Sequence, residues 1–160
     1  MNRKIDDLLS EYGESHKHET NKTIHWICVP LIFFSMVGLL ASIPSETVQS
    51  FLGEGNPYAN WAGVVLILVV IYYVSLSIPL SIGMMLFGVF CLMLANLIVR
   101  LNIAPLWLVS LIIFGLAWIG QFYGHKVEGK KPSFLKDVQF LLIGPAWLMH
   151  FIYKRLGIPY

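Results

Sequence analysis

Residues 12–30, YGESHKHETNKTIHWICVP, decide how this chain is read. They form the last polar run before a long apolar segment. They hold three of the chain's five histidines, His16, His18 and His25, and place Asn21 four residues before His25. Imidazoles gathered where a chain enters a membrane are costly to desolvate, so they point to a site. A second polar island, GHKVEGKKP, lies far downstream at residues 124–132. The expectation is that the two islands meet in space and hold a metal ion.

The membrane reading rests on the charges. Only 12% of the residues are charged and 57% are hydrophobic, against roughly 25% charged in an ordinary soluble domain. No Asp, Glu, Lys or Arg lies between Lys22 and Glu46, between Glu54 and Arg100, or between Arg100 and Lys126. A spanning helix needs about 20 mostly apolar residues, and these gaps supply several. The predicted fold is an all-α integral membrane four-helix bundle, with residues 1–160 as one domain. Its spans fall at 23–41, 61–77, 80–99 and 106–123.

Other features fill in this frame. Ile5, Leu8, Leu9 and Tyr12 follow helical spacing, so residues 3–12 read as an amphipathic helix that Gly13 stops. Asn21 is expected to cap the first span, and Pro30 to kink it. Residues 43–60 read as a loop. Pro79 separates spans two and three into a tight hairpin. Residues 138–153 are apolar but short and carry Gly144-Pro145. They read as a re-entrant or interfacial helix pair bent at that dipeptide. Nothing in the composition marks a linker or a second domain. The N-terminus reads as lacking a secretory leader, since acidic residues interrupt it early. Cys28 and Cys91 lie in apolar runs and read as buried small hydrophobes. A net charge of +2 is too small to imply nucleic acid.

Four spans put both termini on one side. Ten of the eleven Lys and Arg residues collect there and only Arg100 falls opposite. The positive-inside rule makes that side cytoplasmic, in a bacterial inner membrane or in the endoplasmic reticulum of a eukaryote. His16, His18, His25, His125 and Glu128 then share one layer.

Two or three neutral imidazoles suit iron, zinc, copper or nickel, although this spacing is not a recognised zinc motif. The bland alternative is that these residues merely reach for water at the interface. Gly124 before His125 permits close approach to another element. Glu128 is placed to orient a ligand imidazole or to bind metal itself. His18, between Lys17 and Glu19, reads as solvated. His150 reads as an outlying ligand or a structural hydrogen-bonder. A G-x-S-x-G elbow and a phosphate-binding glycine loop are both missing, which disfavours a serine lipase. A membrane-embedded zinc hydrolase with Glu128 as base, and a non-enzymatic transporter or scaffold, stay open at this point.

Tyr12, His16, Asn21, His25 and Pro30, followed by Gly124-His125-x2-Glu128 and Pro132, closely resemble the 2-hydroxy-fatty-acid dioxygenase family. The resemblance covers essentially the whole chain, including FLLIGPAW at residues 140–147. It implies an Fe(2+)-dependent α-oxidation of 2-hydroxy fatty acids by O2, giving the acid shortened by one carbon. It implies His16, His25 and His125 as iron ligands, with positions left for O2 and for the substrate's carboxylate and hydroxyl. Asn21 or Tyr12 would bond bound oxygen and Glu128 would orient a ligand. Lys22, Lys126 and Lys130 are candidate partners for the carboxylate, with the acyl tail among the apolar helices. A homo-oligomer is compatible with all of this.

Overall fold

The computed structural model describes residues 4–131 and 139–160. Its described residues are helical, with seven helices and no strand. These are α1 (Lys4–Gly13), α2 (Glu19–Ala41), α3 (Glu46–Leu52), α4 (Trp61–Leu76), α5 (Ile78–Leu101), α6 (Leu106–Glu128) and α7 (Gln139–Leu156). Three of them, α2, α5 and α6, are long and apolar enough to cross a membrane. Helix α4 is apolar but has 16 residues, which span about 24 Å against a hydrocarbon core of about 30 Å.

The outer surface is that of a lipid-facing bundle. Ile67, Leu68, Ile71, Leu86, Phe90 and Leu116 are all more than half exposed. A patch on that scale would aggregate in water, whereas hydrocarbon covers it at no cost.

Inside, small residues set how close the helices come. Helices α2 and α6 run antiparallel and pack along most of their length. A Cβ added at Gly38 would overlap Ser110 Oγ, and one at Gly124 would overlap Asn21 Oδ1. One at Gly120 would lie 2.6 Å from Cys28 Sγ. Without a hydrophobic driving force between helices in lipid, such close contact is what holds them. It also brings the first turns of α2 against the last turns of α6, where His25 and His125 lie. Cys28 and Cys91 are free and buried, as expected.

Several local expectations are corrected. Helix α2 begins at Glu19, and its cap is His18 rather than Asn21: the His18 side chain accepts from Thr20 N at 3.2 Å. Asn21 lies inside the first turn and turns inward. The α4–α5 break falls at Ser77, which ends one helix and caps the next. Pro79 then sits in the first turn of α5, where its missing N–H costs nothing. The predicted loop at 43–60 contains α3. Helix α7 runs unbroken through Gly144-Pro145, so the expected bent pair is one helix; residue 138 lies outside the described residues. Gly144 serves close approach, since a Cβ there would meet Tyr12 Oη at 3.0 Å.

Helix α1 packs on α7 through Ile5, Leu9 and Tyr12 against Phe140, Ile143 and Trp147. This contact seats Tyr12, and with it the turn that follows.

Gly120→Val should lower the stability of the protein in detergent by about 1–3 kcal/mol, through overpacking against Cys28. Gly115→Val, on the same helix with nothing within 4 Å of its Cβ position, should change it by no more than about 0.5 kcal/mol. Thermal unfolding of the two variants side by side checks the pair.

Candidate metal centre

Three histidines converge. His16 comes from the α1–α2 turn, His25 from the second turn of α2 and His125 from the last turn of α6. They are 1%, 1% and 4% exposed, so all three are buried. Their ring centroids lie 4.2, 5.0 and 4.9 Å apart. One ligand atom from each falls within 4.8 Å of the others, the only such group of three among the described residues.

Each ring is held from behind. His16 Nδ1 donates to Tyr12 O at 2.6 Å, and the ring stacks on Tyr12 with centroids 4.2 Å apart and planes 13° from parallel. Trp147 packs beside both rings, 5.3 Å from His16 and 5.5 Å from Tyr12. His25 Nδ1 donates to Asn21 O at 2.8 Å. His125 Nδ1 is buried with no hydrogen-bond partner.

These bonds fix the tautomers of two rings. A backbone carbonyl only accepts, so Nδ1 of His16 and of His25 must carry the proton. In a neutral ring Nε2 is then bare. The two bare nitrogens, His16 Nε2 and His25 Nε2, lie 2.8 Å apart. Lone pairs facing at that distance repel unless something positive lies between them or beside them. A proton is a poor candidate: burial pushes the His16 imidazole down to about 4, so it stays neutral at pH 7. A metal ion satisfies the geometry. Imidazole nitrogens at about 2.05 Å from a tetrahedral ion lie about 3.3 Å from one another, which falls between the 2.8 Å pair and the 4.8 Å limit. The donor set, all nitrogen and neutral, fits iron or zinc.

Glu128 acts on the histidines through the backbone of the turn that carries His16. Its Oε1 accepts from Lys17 N at 2.9 Å, and its Oε2 from His18 N at 2.8 Å and Asn21 Nδ2 at 3.2 Å. It ties the end of α6 to the turn that carries His16. It also places a negative charge at the start of α2, where the helix dipole favours one. Asn21 shares the task. Its Nδ2 also donates to Ser15 O at 3.1 Å, so one amide hydrogen goes to the turn and the other to Glu128. Only Asn21 Oδ1 is left unpartnered.

The lysines stand apart from the imidazoles. Lys22 pairs with Glu19 at 2.8 Å, Lys130 donates to Glu14 O at 2.5 Å, and Lys126 is exposed. His18 is an exposed cap and His150 bonds Tyr160 Oη, so neither joins the cluster.

Gln121 was not singled out by sequence. It is 5% exposed, lies one turn before His125 and sits beside the His25 ring. The signal was there: an amide inside an apolar span, four residues ahead of a histidine, is expensive without a role.

Gln121, His125 and Tyr12 also line a cavity of about 140 Å³. From this polar end it extends between α2, α4, α6 and α7, with Phe33, Val37, Leu66 and Leu142 among its walls. The imidazole cluster therefore opens onto an apolar space.

An all-helical bundle with membrane-spanning helices and three buried imidazoles at one end is the class this architecture defines. The chain belongs to the family described as 2-hydroxy-palmitic acid dioxygenase Mpo1-like, whose model matches residues 2–156. It is 29% identical over 162 residues to the 2-hydroxy-palmitic acid dioxygenase MPO1 of Saccharomyces cerevisiae, covering 98% of this chain and 86% of that protein. No solved structure matches it.

Glu128→Ala removes no imidazole but frees the backbone N–H groups that fix the His16 turn. Loss of a group that orients a ligand typically costs 10–100-fold in metal affinity. A loss of about that size is expected for Glu128→Ala in competition titrations with a metal chelator, with helix content by circular dichroism unchanged.

Proposed function

We propose that this protein is an iron(II)-dependent dioxygenase that removes one carbon from 2-hydroxy fatty acids. The observation that carries this reading is the junction of site and cavity: His125 and Tyr12 belong to both the imidazole cluster and the apolar space beside it. An amphiphile with its polar head at the histidines and its tail in the cavity matches that junction. Family membership supplies the reaction class.

The reaction balances without an outside reductant. R–CH(OH)–COOH and O2 give R–COOH, CO2 and H2O. The C1–C2 bond breaks, C2 becomes the new carboxyl carbon and C1 leaves as CO2.

His16, His25 and His125 are the residues that would hold the metal. Iron(II), when bound, supplies the one-electron chemistry through which O2 can react with a closed-shell acid. The protein's own contributions are positional. The Tyr12 and Asn21 carbonyls fix two rings so that their Nε2 atoms point inward. Glu128 and the Asn21 amide clamp the turn that brings His16 over the other two. Burial pushes the Tyr12 phenol far above its ordinary value, so it remains an O–H donor at the cavity mouth. Gln121 offers a neutral amide beside His25 for the substrate's carboxyl or hydroxyl oxygen. The apolar walls exclude water and hold the acid in one orientation, which is where much of a positioning enzyme's rate comes from. Lys22, Lys126 and Lys130 add positive potential on the histidine face and draw the carboxylate there. The bias of ten of eleven cations toward one side favours a cytoplasmic histidine face by the positive-inside rule, if α4 also crosses.

A zinc hydrolase is the weaker reading. It needs a free carboxylate base, and both Glu128 oxygens already accept N–H donors.

Protein purified without oxygen and loaded with Fe(II) should consume about one O2 per 2-hydroxypalmitate, as the balanced reaction requires, and yield pentadecanoic acid. His125→Ala should reduce turnover by more than the ~100-fold upper range for loss of a merely orienting group. Equal turnover with zinc, or product formed without O2 uptake, would overturn the reading.

A further inference from the structure

The cavity has a direction and an end. On α2 its lining residues are Val29, Ile32, Phe33, Met36, Val37 and Leu40. Their spacing, i, i+3, i+4, i+7, i+8, i+11, is one unbroken helical stripe. His25 lies one turn before Val29 on the same stripe. On α6 the lining residues Trp118, Gln121 and His125 repeat the pattern from the other side. Helix α2 therefore carries a histidine of the cluster at the head of an apolar strip that walls the cavity, and α6 adds Trp118 and Gln121 from the other side.

Two helices meet at the far end. Helix α4 is antiparallel to α5, with Leu66 facing Gly88 across a one-residue connection at Ser77. Val65 and Leu66, near the start of α4, meet the cavity at the level of Val37 and Leu40. Leu66 is backed by Gly88: a Cβ there would lie 3.1 Å from its Cδ2. Val37 is 3% exposed and packed among Phe34, Ala62 and Cys91. This floor has little freedom to give way.

We propose that Val37, Leu40, Val65 and Leu66 form the floor of a single-chain channel that sets the upper limit on acyl length. The proposal rests on the fatty-acid reading above and adds to it the length and the residues that fix it. From Val29 to Leu40 is eleven residues of helix, about 16 Å at 1.5 Å per residue. Carbon–carbon bonds of about 1.5 Å at tetrahedral-like angles advance about 1.25 Å per carbon in a zigzag. That wall runs beside about 13 carbons; the enclosed space of about 140 Å³ holds about six of them, since a cavity of about 150 Å³ is filled by benzene, and the rest lie along the side where Met36 is exposed. The two carbons that react stay above the wall, at the imidazoles, which gives a fit at about 15 in all and a falling fit beyond about 18.

Two variants move the floor in opposite directions. Val37→Phe fills the channel one turn above Leu40 and shortens it by about 4.5 Å, or 3–4 carbons. Leu66→Ala opens the floor and lengthens it by about two carbons. Two measurements read this out. The first is binding of saturated, non-hydroxylated fatty acids of 10 to ~22 carbons to metal-free protein in nanodiscs, followed by thermal shift; it depends on the tail and on no chemistry at the metal. The second is turnover of the matching 2-hydroxy acids by iron-loaded protein.

In the wild type both profiles should peak near 14–16 carbons, within the estimate from helix rise and bond length. Val37→Phe should shift both peaks down, and Leu66→Ala should shift both up. If Val37→Phe fails to fold, the shift in Leu66→Ala decides the matter alone. Profiles that stay where the wild type has them in a folded variant overturn the floor, as does metal-free protein that binds no fatty acid of any length. A binding profile that shifts as expected while no 2-hydroxy acid is turned over keeps the channel and removes the fatty-acid-oxidation reading. Turnover with no length dependence does the reverse.

Discussion

Two imidazole nitrogens that cannot both be comfortable govern this structure. His16 and His25 each spend Nδ1–H on a backbone carbonyl four residues back, at 2.6 and 2.8 Å. That leaves Nε2 on each ring bare, the pair 2.8 Å apart in a buried pocket. A buried polar atom without a partner costs on the order of 1–3 kcal/mol, and here two of them face each other. The unpartnered His125 Nδ1 adds another. A cation held between the rings would turn such costs into bonds, and this is the physical basis of the proposed metal centre.

The remainder of the architecture keeps that point in place. Small residues along α2 and α6 bring the two helices into close antiparallel contact, so His25 and His125 approach from opposite sides. Helix α1 docks on α7 and seats Tyr12, whose ring is the platform for His16. The carboxylate of Glu128 reaches from the end of α6 to the turn before α2 and fastens His16 over the other two imidazoles. Lipid-facing leucines and isoleucines on the outer surface matter less to the chemistry than these inward contacts. They matter to it in one respect: the cavity that opens from the site is apolar, and so is the medium that would deliver an amphiphile to it.

Much of this was legible in the sequence, for identifiable reasons. Charge-free gaps announced the membrane helices because desolvating an unpaired charge in hydrocarbon is expensive. The layer of histidines followed from the positions of lysines and arginines. What misled was local chemistry with two outlets. Asn21 is a good capping residue, but its amide is held by Ser15 and Glu128 and the cap falls to His18. Gly144-Pro145 can bend a helix, but the glycine makes room for Tyr12 and α7 continues. Glu128 was placed near the imidazoles, yet its partners are backbone N–H groups 110 and 111 residues away in sequence. No local pattern encodes a pairing at that separation. Gln121 was overlooked because one amide among apolar residues makes no motif; its meaning comes from His25, on another helix.

The central claim is that the three imidazoles share one metal ion. X-ray absorption at the iron K-edge, on anaerobic protein loaded with one equivalent of Fe(II), tests it most directly. The account requires about three nitrogen scatterers near 2.1 Å, by analogy with other metal–imidazole bonds, with the outer-shell pattern of imidazole rings. That pattern should weaken by about a third in His125→Ala, as one of three rings is lost. An iron spectrum lacking imidazole scattering, or one indifferent to His16→Ala, His25→Ala and His125→Ala alike, would contradict it.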